Sequence, residues 1–315
     1  MGDAESDSYS VNMKARVGQL ARLLPTLESS VQTFVNSKSN FTRIATNDSQ
    51  SPWPGFASGE TRSQEQIQNA RKLFILDSSY NPPSKAHAAL ALSALHSVSS
   101  TESTRLLLLF GVSNADKGFK PAAFHHRLAM MILFAQDLRE RSKNFEFADI
   151  PIDIGLTSAA YYTDKSPAIS ESGVYADECT HVHMIGYDTL IRFLNPKYYE
   201  KFDPPLSALD PYFDAGHQIR VLLRANEDGN DEQELKAQKA YITKLAVADS
   251  TSRELGFKRE WAQQIVSMED IHAAGISSTR IREAVFLHKW EAVERLVTPG
   301  VFAWLHQHHI YDEPT

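Results

Sequence analysis

The chain has 315 residues, of which 42% are hydrophobic and 23% charged, and its formal net charge is −7. This composition is close to the globular average, so it excludes a collagen-like, coiled-coil or wholly disordered protein. The negative charge argues against a nucleic-acid partner, because binding through bulk charge needs a basic surface. It still permits a local basic pocket for a phosphorylated metabolite.

Cysteine content and hydropathy indicate the cellular compartment in which the protein is expected. The single cysteine, Cys179, cannot form an internal disulfide, which suits a reducing environment. The apolar run at residues 106–110 is far shorter than the roughly 20 residues that span a bilayer, and residues 1–10 lack a signal-peptide core. We expect a cytoplasmic or nuclear protein with no membrane partner, and a homo-oligomer stays open.

The first 71 residues differ in character from the rest. Apolar residues recur at helical spacing over residues 11–36, which predicts a helix. Residues 37–68 are rich in Ser, Asn, Gln and Thr, which is typical of a loop or tether. We therefore predict an N-terminal helix and polar linker over residues 1–71 and a single domain over residues 72–315.

From residue 72 onward, short apolar runs alternate with helical patterns. The expected strands are residues 73–77, 105–110, 144–150, 181–186, 218–224 and 263–267. The expected helices are residues 84–98, 121–140, a short one ending at 193, 233–245, 277–288, 290–297 and 300–308. Strands that are apolar at every position indicate a parallel sheet covered on both faces, so the predicted fold class is α/β and doubly wound. Ligands of such sheets bind at the carboxyl ends of the strands.

The first expected strand leads into the segment DSSYNPPSKAH, residues 77–87. Two consecutive prolines belong in a fixed turn, and Ser84 is a good N-cap for the following helix. His87 then lies in the first helical turn, where backbone N–H groups and the helix dipole favour an anion. The alternative is a plain strand-to-helix turn with a capping serine and a surface histidine.

The second segment with anion-binding character is GISSTRIR, residues 275–282. Ser278 and Thr279 precede Arg282 by four and three positions, so all three share one face of a helix start. Hydroxyls and a guanidinium arranged in this way suit phosphate oxygens. The alternative is a capped helix with a solvated arginine.

Together SSYNPPSKAH and ISSTRIR resemble the two signatures of the nucleotidylyltransferase superfamily. Further segments resemble the eukaryotic, fungal-type nicotinamide mononucleotide adenylyltransferases, in the family's order between residues 72 and 312. These segments are residues 114–118, 125–130, 186–190, 193–199, 221–225, 301–305 and 309–311.

The resemblance implies a Rossmann-like sheet and transfer of an adenylyl group from ATP to nicotinamide mononucleotide, which gives NAD and pyrophosphate. The mononucleotide phosphate is itself the nucleophile, so positioning and charge stabilisation suffice without a general base. Mg²⁺ would be held mainly by the oxygens of ATP.

The resemblance also assigns roles on the phosphate side. His87, Lys117 and Arg282 would be the catalytic residues, His87 stabilising charge at the α-phosphate and Lys117, or less readily Lys120, neutralising phosphate. The ATP-binding and phosphate-binding residues would be Ser78 and Ser79 through backbone N–H groups, Tyr80, Ser84, and Ser278, Thr279 and Arg282 on the leaving pyrophosphate.

On the nucleoside side, Gly186 and Asp188 would hold the nucleoside, with Asp188 on a ribose hydroxyl. Tyr199 would stack on nicotinamide in place of the family's tryptophan, and Arg224 would lie near the mononucleotide phosphate. The family's other stacking tryptophan has no match, although Tyr161 or Tyr162 could replace it.

Two other functions stay open at this point. One is a different nucleotidylyltransferase, for a cytidylyl group or a pantetheine phosphate. The other is a nucleotide-binding regulatory protein without turnover, because Ser78 replaces the glycine of the family's turn and the family's stacking tryptophans are missing. His181 and His183 are expected to be structural histidines, and no metal site of the protein's own is predicted.

Overall fold

The computed structural model describes residues 2–47, 55–56, 69–98, 103–112, 122–143, 150–223, 231–247, 253–269 and 275–312. The strands within these ranges are β1 (Phe41–Asn47), β2 (Gly55–Phe56), β3 (Lys72–Asp77), β4 (Thr104–Gly111), β5 (Ile152–Thr157), β6 (Thr180–Gly186), β7 (Gln218–Leu223) and β8 (Ile265–Glu269).

Helices account for most of the other described residues. They are α1 (Gly2–Arg22), α2 (Leu24–Val35), α3 (Lys85–Leu95), α4 (Phe124–Ser142), α5 (Tyr162–Glu171), α6 (Tyr187–Phe193), α7 (Asp210–Asp214), α8 (Asp231–Leu245), α9 (Ser278–Phe286), α10 (Trp290–Leu296) and α11 (Pro299–His308). Three 3₁₀ turns cover Pro196–Tyr198, Pro205–Leu209 and Arg259–Gln264. Within the described residues, no helix has the length and hydropathy that a membrane crossing requires.

The strands form one sheet in the order β2-β1-β5-β4-β3-β6-β7-β8. Six neighbouring strands are parallel to one another, namely β5, β4, β3, β6, β7 and β8. β1 and β2 add an antiparallel edge beside β5. The strand order reverses between β3 and β6, which run side by side. This is the doubly wound α/β fold that the sequence predicted, and its ligand crevice is expected at that reversal.

Alternation along the central strands explains why both faces are covered. In β3, Phe74 and Leu76 join one hydrophobic core, while Leu73 and Ile75 join the core on the opposite face. The side chains of β4 divide in the same way. Successive strand residues point to opposite faces, so runs that are apolar at every position fit a sheet between two helical layers.

The N-terminal segment packs on the domain that follows it. The Arg16 guanidinium of α1 donates two hydrogen bonds to Gln136 Oε1 of α4, at 2.9 and 2.6 Å. Residues 41–47 are a strand of the sheet, so the expectation of a loop was wrong there. Residues 37–40 are irregular, as expected of a linker, while residues 48–54 and 57–68 lie outside the described residues. The domain boundary at residue 72 stays a prediction.

A buried carboxylate joins the edge strand to the parallel strands. Asp153 of β5 accepts hydrogen bonds from Arg105 at 2.7 and 2.8 Å, from Thr46 at 2.6 Å and from Tyr175 at 3.0 Å. Burial alone would raise the pKa of Asp153, but the Arg105 guanidinium beside it holds that pKa below its ordinary value. The expected third strand, residues 144–150, lies outside the described ranges except for residue 150, and β5 is a strand that the sequence did not predict.

Candidate active site

Two cavities open at the carboxyl ends of β3 and β6, where the strand order reverses. The larger has a volume of about 500 Å³, and its lining includes Ser79, Ala160, Tyr161, Lys165, Tyr198 and Tyr199. The smaller has a volume of about 240 Å³, and its lining includes Ser84, His87, Gly186, Asp188, Ser277 and Ser278. The residues common to both are Asp77, Ser78, Tyr162, Thr189 and Arg192. The two cavities therefore meet at one junction, directly after β3.

The first signature segment forms a capping box that fixes the His87 imidazole. Ser84 is the N-cap of α3, and its hydroxyl accepts a hydrogen bond from the His87 backbone N–H at 3.4 Å. The Ser84 backbone N–H in turn donates to His87 Nδ1 at 3.0 Å. Since Nδ1 accepts, the proton of a neutral ring must lie on Nε2, which is 2.9 Å from Ser78 Oγ. The imidazole thus directs its N–H donor toward the junction.

The second signature segment meets the first, although 196 residues separate Pro82 from Ser278. The Ser278 hydroxyl, at the start of α9, donates to the Pro82 carbonyl at 2.9 Å. Arg282 Nη1 donates to the Asn81 carbonyl at 2.7 Å, and its Nη2 donates to the Thr279 hydroxyl at 3.1 Å. The N-termini of α3 and α9 are therefore brought together at the turn.

The turn is also supported by residues that lie in neither of the two cavity walls. The Asn81 side-chain oxygen accepts from the Tyr311 hydroxyl at 2.6 Å and from the Ala122 N–H at 3.1 Å. Arg127, only 1% exposed, donates to the Ser79 carbonyl at 3.0 Å. The HHR and C-terminal segments thus support the turn, a role that their spacing in the sequence did not reveal.

The predicted site residues are placed in three groups. Those in the cavity walls are Ser78, Ser79, Ser84, His87, Gly186, Asp188, Tyr199 and Ser278. Those in neither wall are Tyr80, Thr279 and Arg282, of which Tyr80 is fully buried. Lys117, its alternative Lys120, and Arg224 lie outside the described residues.

Two of the expected contacts differ in detail. The Ser78 backbone N–H donates to the Leu109 carbonyl in the sheet, at 3.2 Å, so the hydroxyl and not the N–H is the donor available in the cavities. Tyr199 is 7% exposed and its hydroxyl donates to the Phe193 carbonyl at 2.9 Å. The exposed tyrosine rings of the larger cavity are Tyr161 and Tyr198, which are 51% and 40% exposed.

Three charged residues of the walls escaped the sequence reasoning. Asp77 ends β3 and forms an ion pair with Lys165 of α5. Arg192 of α6 is exposed at the junction, and its Nε donates to the Asp188 carbonyl at 3.4 Å. The spacing of Asp188 and Arg192, one helical turn apart, could have placed both on one face. No such signal existed for Lys165, because its helix was not predicted.

Burial keeps Tyr162 of the shared wall and the two histidines His181 and His217 uncharged. Burial, reinforced by the Asp77 carboxylate, raises the pKa of Tyr162 well above its ordinary value. Burial lowers the pKa of His181 to about 3 and that of His217 to about 4, so these stacked rings are neutral at pH 7. Among the described residues, no group of three His, Cys, Asp or Glu side chains could hold a metal ion.

No protein-family model matches the chain. A curated protein of Schizosaccharomyces pombe, named "Putative nicotinamide mononucleotide adenylyltransferase", is 28% identical over 229 residues. The match covers 72% of this chain and 81% of that protein. The chain resembles the nicotinamide mononucleotide adenylyltransferases. This agrees with the resemblance that the sequence motifs indicated.

Solved structures give more distant matches. The Plasmodium falciparum nicotinic acid mononucleotide adenylyltransferase complexed with NaAD has a TM-score of 0.46 and 13% identity, and the match covers 77% of this chain and 98% of that chain. Thermotoga maritima TmcAL bound with alpha-thio ATP has a TM-score of 0.36 and 15% identity, with 76% and 56% covered. Both scores are below 0.5.

Proposed function

We propose that this chain transfers an adenylyl group from ATP to nicotinamide mononucleotide, which yields NAD and pyrophosphate. The observation that carries the proposal is the meeting of SSYNPPSKAH and ISSTRIR at the junction of two cavities, through the bonds from Ser278 to Pro82 and from Arg282 to Asn81. The resemblance to the Schizosaccharomyces pombe protein supports the same activity.

In this proposal each of the two cavities binds one of the two substrates. In the proposed arrangement ATP occupies the smaller cavity, where Gly186 and Asp188 hold the nucleoside and Asp188 accepts from a ribose hydroxyl. The mononucleotide occupies the larger cavity, where an aromatic wall that includes Tyr161, Tyr198 and Tyr199 contacts its base. The acceptor phosphate then meets the α-phosphate of ATP at the junction, beside Ser78 and Arg192.

The chemistry requires an in-line displacement. An oxygen of the mononucleotide phosphate forms a bond to the α-phosphorus of ATP, and the bond from that phosphorus to the bridging oxygen breaks, releasing pyrophosphate. His87 Nε2–H donates to the phosphate on which charge develops, and the N-terminus of α3 adds backbone donors. Ser278, Thr279 and Arg282 stabilise the leaving pyrophosphate.

The negative charge of the phosphates also has to be neutralised. Lys117 is proposed to neutralise phosphate and Arg224 to contact the mononucleotide phosphate. Mg²⁺, when bound, would neutralise phosphate charge through the oxygens of ATP, which needs no dedicated cage of protein ligands. In the walls of the described site, Asp77 pairs with Lys165, and Asp188 lies in the wall of the smaller cavity.

The test is a direct assay of the purified chain with Mg²⁺, ATP and nicotinamide mononucleotide, in which NAD and pyrophosphate are both followed. Parallel reactions with CTP and phospho-alcohols, and with ATP and a pantetheine phosphate, test the alternative nucleotidylyltransferases. We expect NAD and pyrophosphate in equal amounts. ATP binding without NAD formation would reject the proposal.

A second candidate is a nucleotide-binding protein without turnover. One observation favours it: Ser78 replaces the glycine of the family's turn, and its hydroxyl lies 2.9 Å from His87 Nε2, the proposed donor to phosphate. If that bond held the imidazole away from ATP, the chain would bind nucleotide and stay inactive. In that case Ser78→Gly would produce NAD from an inactive parent, whereas an already active parent would reject this candidate.

A further inference from the structure

The larger cavity has an ion pair in its wall that the proposed transfer reaction does not use. Asp77, the last residue of β3, pairs with the Lys165 ammonium from α5. Their side chains are 10% and 4% exposed. The Asp77 carboxylate adds to the raised pKa of the neighbouring Tyr162, and Lys165 Nζ lies 4.9 Å from the centre of the Tyr162 ring. Two opposite charges therefore lie side by side in the wall and cancel.

Packing alone gives no reason for this pair. Removing two charges from water costs free energy that their attraction often fails to recover, and apolar residues of similar volume are commonly as stable. The four residues of β3 before Asp77 are apolar and almost fully buried. The pattern of the strand therefore favours an apolar residue at position 77 as well. The charges are better explained by the occupant of the cavity.

The pair offers a donor beside an acceptor. An ammonium group has three N–H donors, and Asp77 is the acceptor that the described residues provide for Lys165. A carboxylate has about four lone-pair positions, and Lys165 occupies one of those on Asp77. The wall can therefore donate to one atom of an occupant and accept from an adjacent atom.

Such a wall distinguishes between the two forms of a pyridine mononucleotide. A carboxamide on the ring has an oxygen that accepts and an amino group that donates, which matches Lys165 and Asp77 together. A carboxylate has two acceptors and a negative charge, so its contact with Lys165 comes with repulsion from Asp77. Arg192 lies at the junction instead, where the phosphate common to both forms is expected.

We propose that the ion pair of Asp77 and Lys165 makes the larger cavity select the carboxamide mononucleotide over the carboxylate form. This inference rests on the proposed function, in which the larger cavity holds the acceptor. The two residues are specificity-determining and not catalytic, since they would contact the base and not the reacting phosphates.

The test compares kcat/KM for nicotinamide mononucleotide and nicotinic acid mononucleotide at saturating ATP. We expect the parent chain to favour the carboxamide by about tenfold or more, which is the scale of one unfavourable charge contact. Asp77→Asn leaves the Lys165 cation without its counter-charge and should move the ratio toward the carboxylate by about tenfold or more. Most of the change should appear in KM, because the reacting phosphates are untouched.

Two further variants separate selectivity from folding. The double variant Asp77→Asn with Lys165→Gln removes both charges, so no buried cation is left unpaired, and its preference should approach equality. Glu178→Gln makes the same acid-to-amide change in the exposed ion pair of Glu178 with Arg71, and it should leave the preference unchanged. Equal use of both mononucleotides by the parent, or an unchanged ratio in folded Asp77→Asn protein, would overturn the inference.

Calorimetric titration of each mononucleotide distinguishes this inference from the proposed function. If no dinucleotide forms from either acceptor, the proposed function fails and the titration still decides the inference. Tighter binding of the carboxamide form, lost in Asp77→Asn, supports the selective wall. Equal affinities, or no binding of either mononucleotide, overturn it.

Discussion

The two cavities share one junction but are built in different ways. The smaller is formed chiefly by the turn after β3 and the starts of α3, α6 and α9, where capping groups and main-chain carbonyls fix the geometry. The larger is formed chiefly by side chains, namely tyrosines and the pair of Asp77 with Lys165. Phosphate can be bound by backbone and caps, which short contiguous motifs encode. A base needs side chains that the fold gathers from distant segments.

Because the smaller cavity is proposed to hold the reacting phosphates, the largest losses of activity should follow changes beside it. His87→Ala removes the Nε2–H donor proposed for phosphate and should lower kcat by about 10²-fold or more, the scale of one preorganised donor. Steady-state NAD formation measures the loss. His96→Ala removes an exposed imidazole at the C-cap of the same helix and should leave kcat unchanged. Near-normal turnover of His87→Ala would break the assignment of the phosphate side.

Arg282 tests the second signature segment in the same assay. Arg282→Ala removes the proposed contact with pyrophosphate and the bond to Asn81, so we expect kcat to fall by about 10²-fold. Arg282→Lys keeps the charge but not the fork of N–H donors, so it should recover only part of the loss. Arg280→Ala changes the exposed arginine two positions earlier and serves as the control. Equal activities of the Arg280 and Arg282 variants would contradict the proposed role.

The same contrast shows which parts of the molecule were predictable from the sequence. The central strands were predictable because they are apolar at nearly every position, and the turn because prolines and a capping serine specify it locally. β1 was not, because it buries polar residues such as Thr46, whose hydroxyl donates to Asp153 of β5 at 2.6 Å, and the sequence does not show that tertiary contact. From the sequence alone, the polar residues of this segment predict a loop.

β5 escaped prediction for a related reason. The strand contains Asp153, whose charge is compensated by Arg105 on the neighbouring strand, and Gly155. A Cβ at Gly155 would lie 2.7 Å from Cε2 of Phe41, so the glycine allows the close approach of β1. Neither a compensated charge nor a close approach is visible in the order of residues. The walls of the larger cavity depend on contacts of this kind.

Arg192 lies in both walls and should show an intermediate effect. Its guanidinium is proposed to contact the acceptor phosphate, so Arg192→Gln should lower kcat/KM for the mononucleotide by about tenfold, in the range of one charge-assisted hydrogen bond. Arg192→Lys should recover part of this loss, because the positive charge remains. Arg71→Gln, in an exposed ion pair, is the matched control. An unchanged kcat/KM in Arg192→Gln would place the acceptor phosphate away from the junction.

Ser78 should give the smallest effect, and its sign matters more than its size. In the free chain its hydroxyl is 2.9 Å from His87 Nε2, so binding of ATP would exchange that bond for one to phosphate. Ser78→Ala removes the competitor, while Ser84 still holds Nδ1. We expect KM for ATP to fall by about two- to tenfold, the worth of one net hydrogen bond. Ser30→Ala, at a partly exposed serine of α2, controls for the loss of a hydroxyl. A rise in KM for ATP would instead show that the Ser78 hydroxyl is a ligand of ATP. The smaller cavity would then bind phosphate through side chains, in the way that the larger cavity is proposed to bind the base of the mononucleotide.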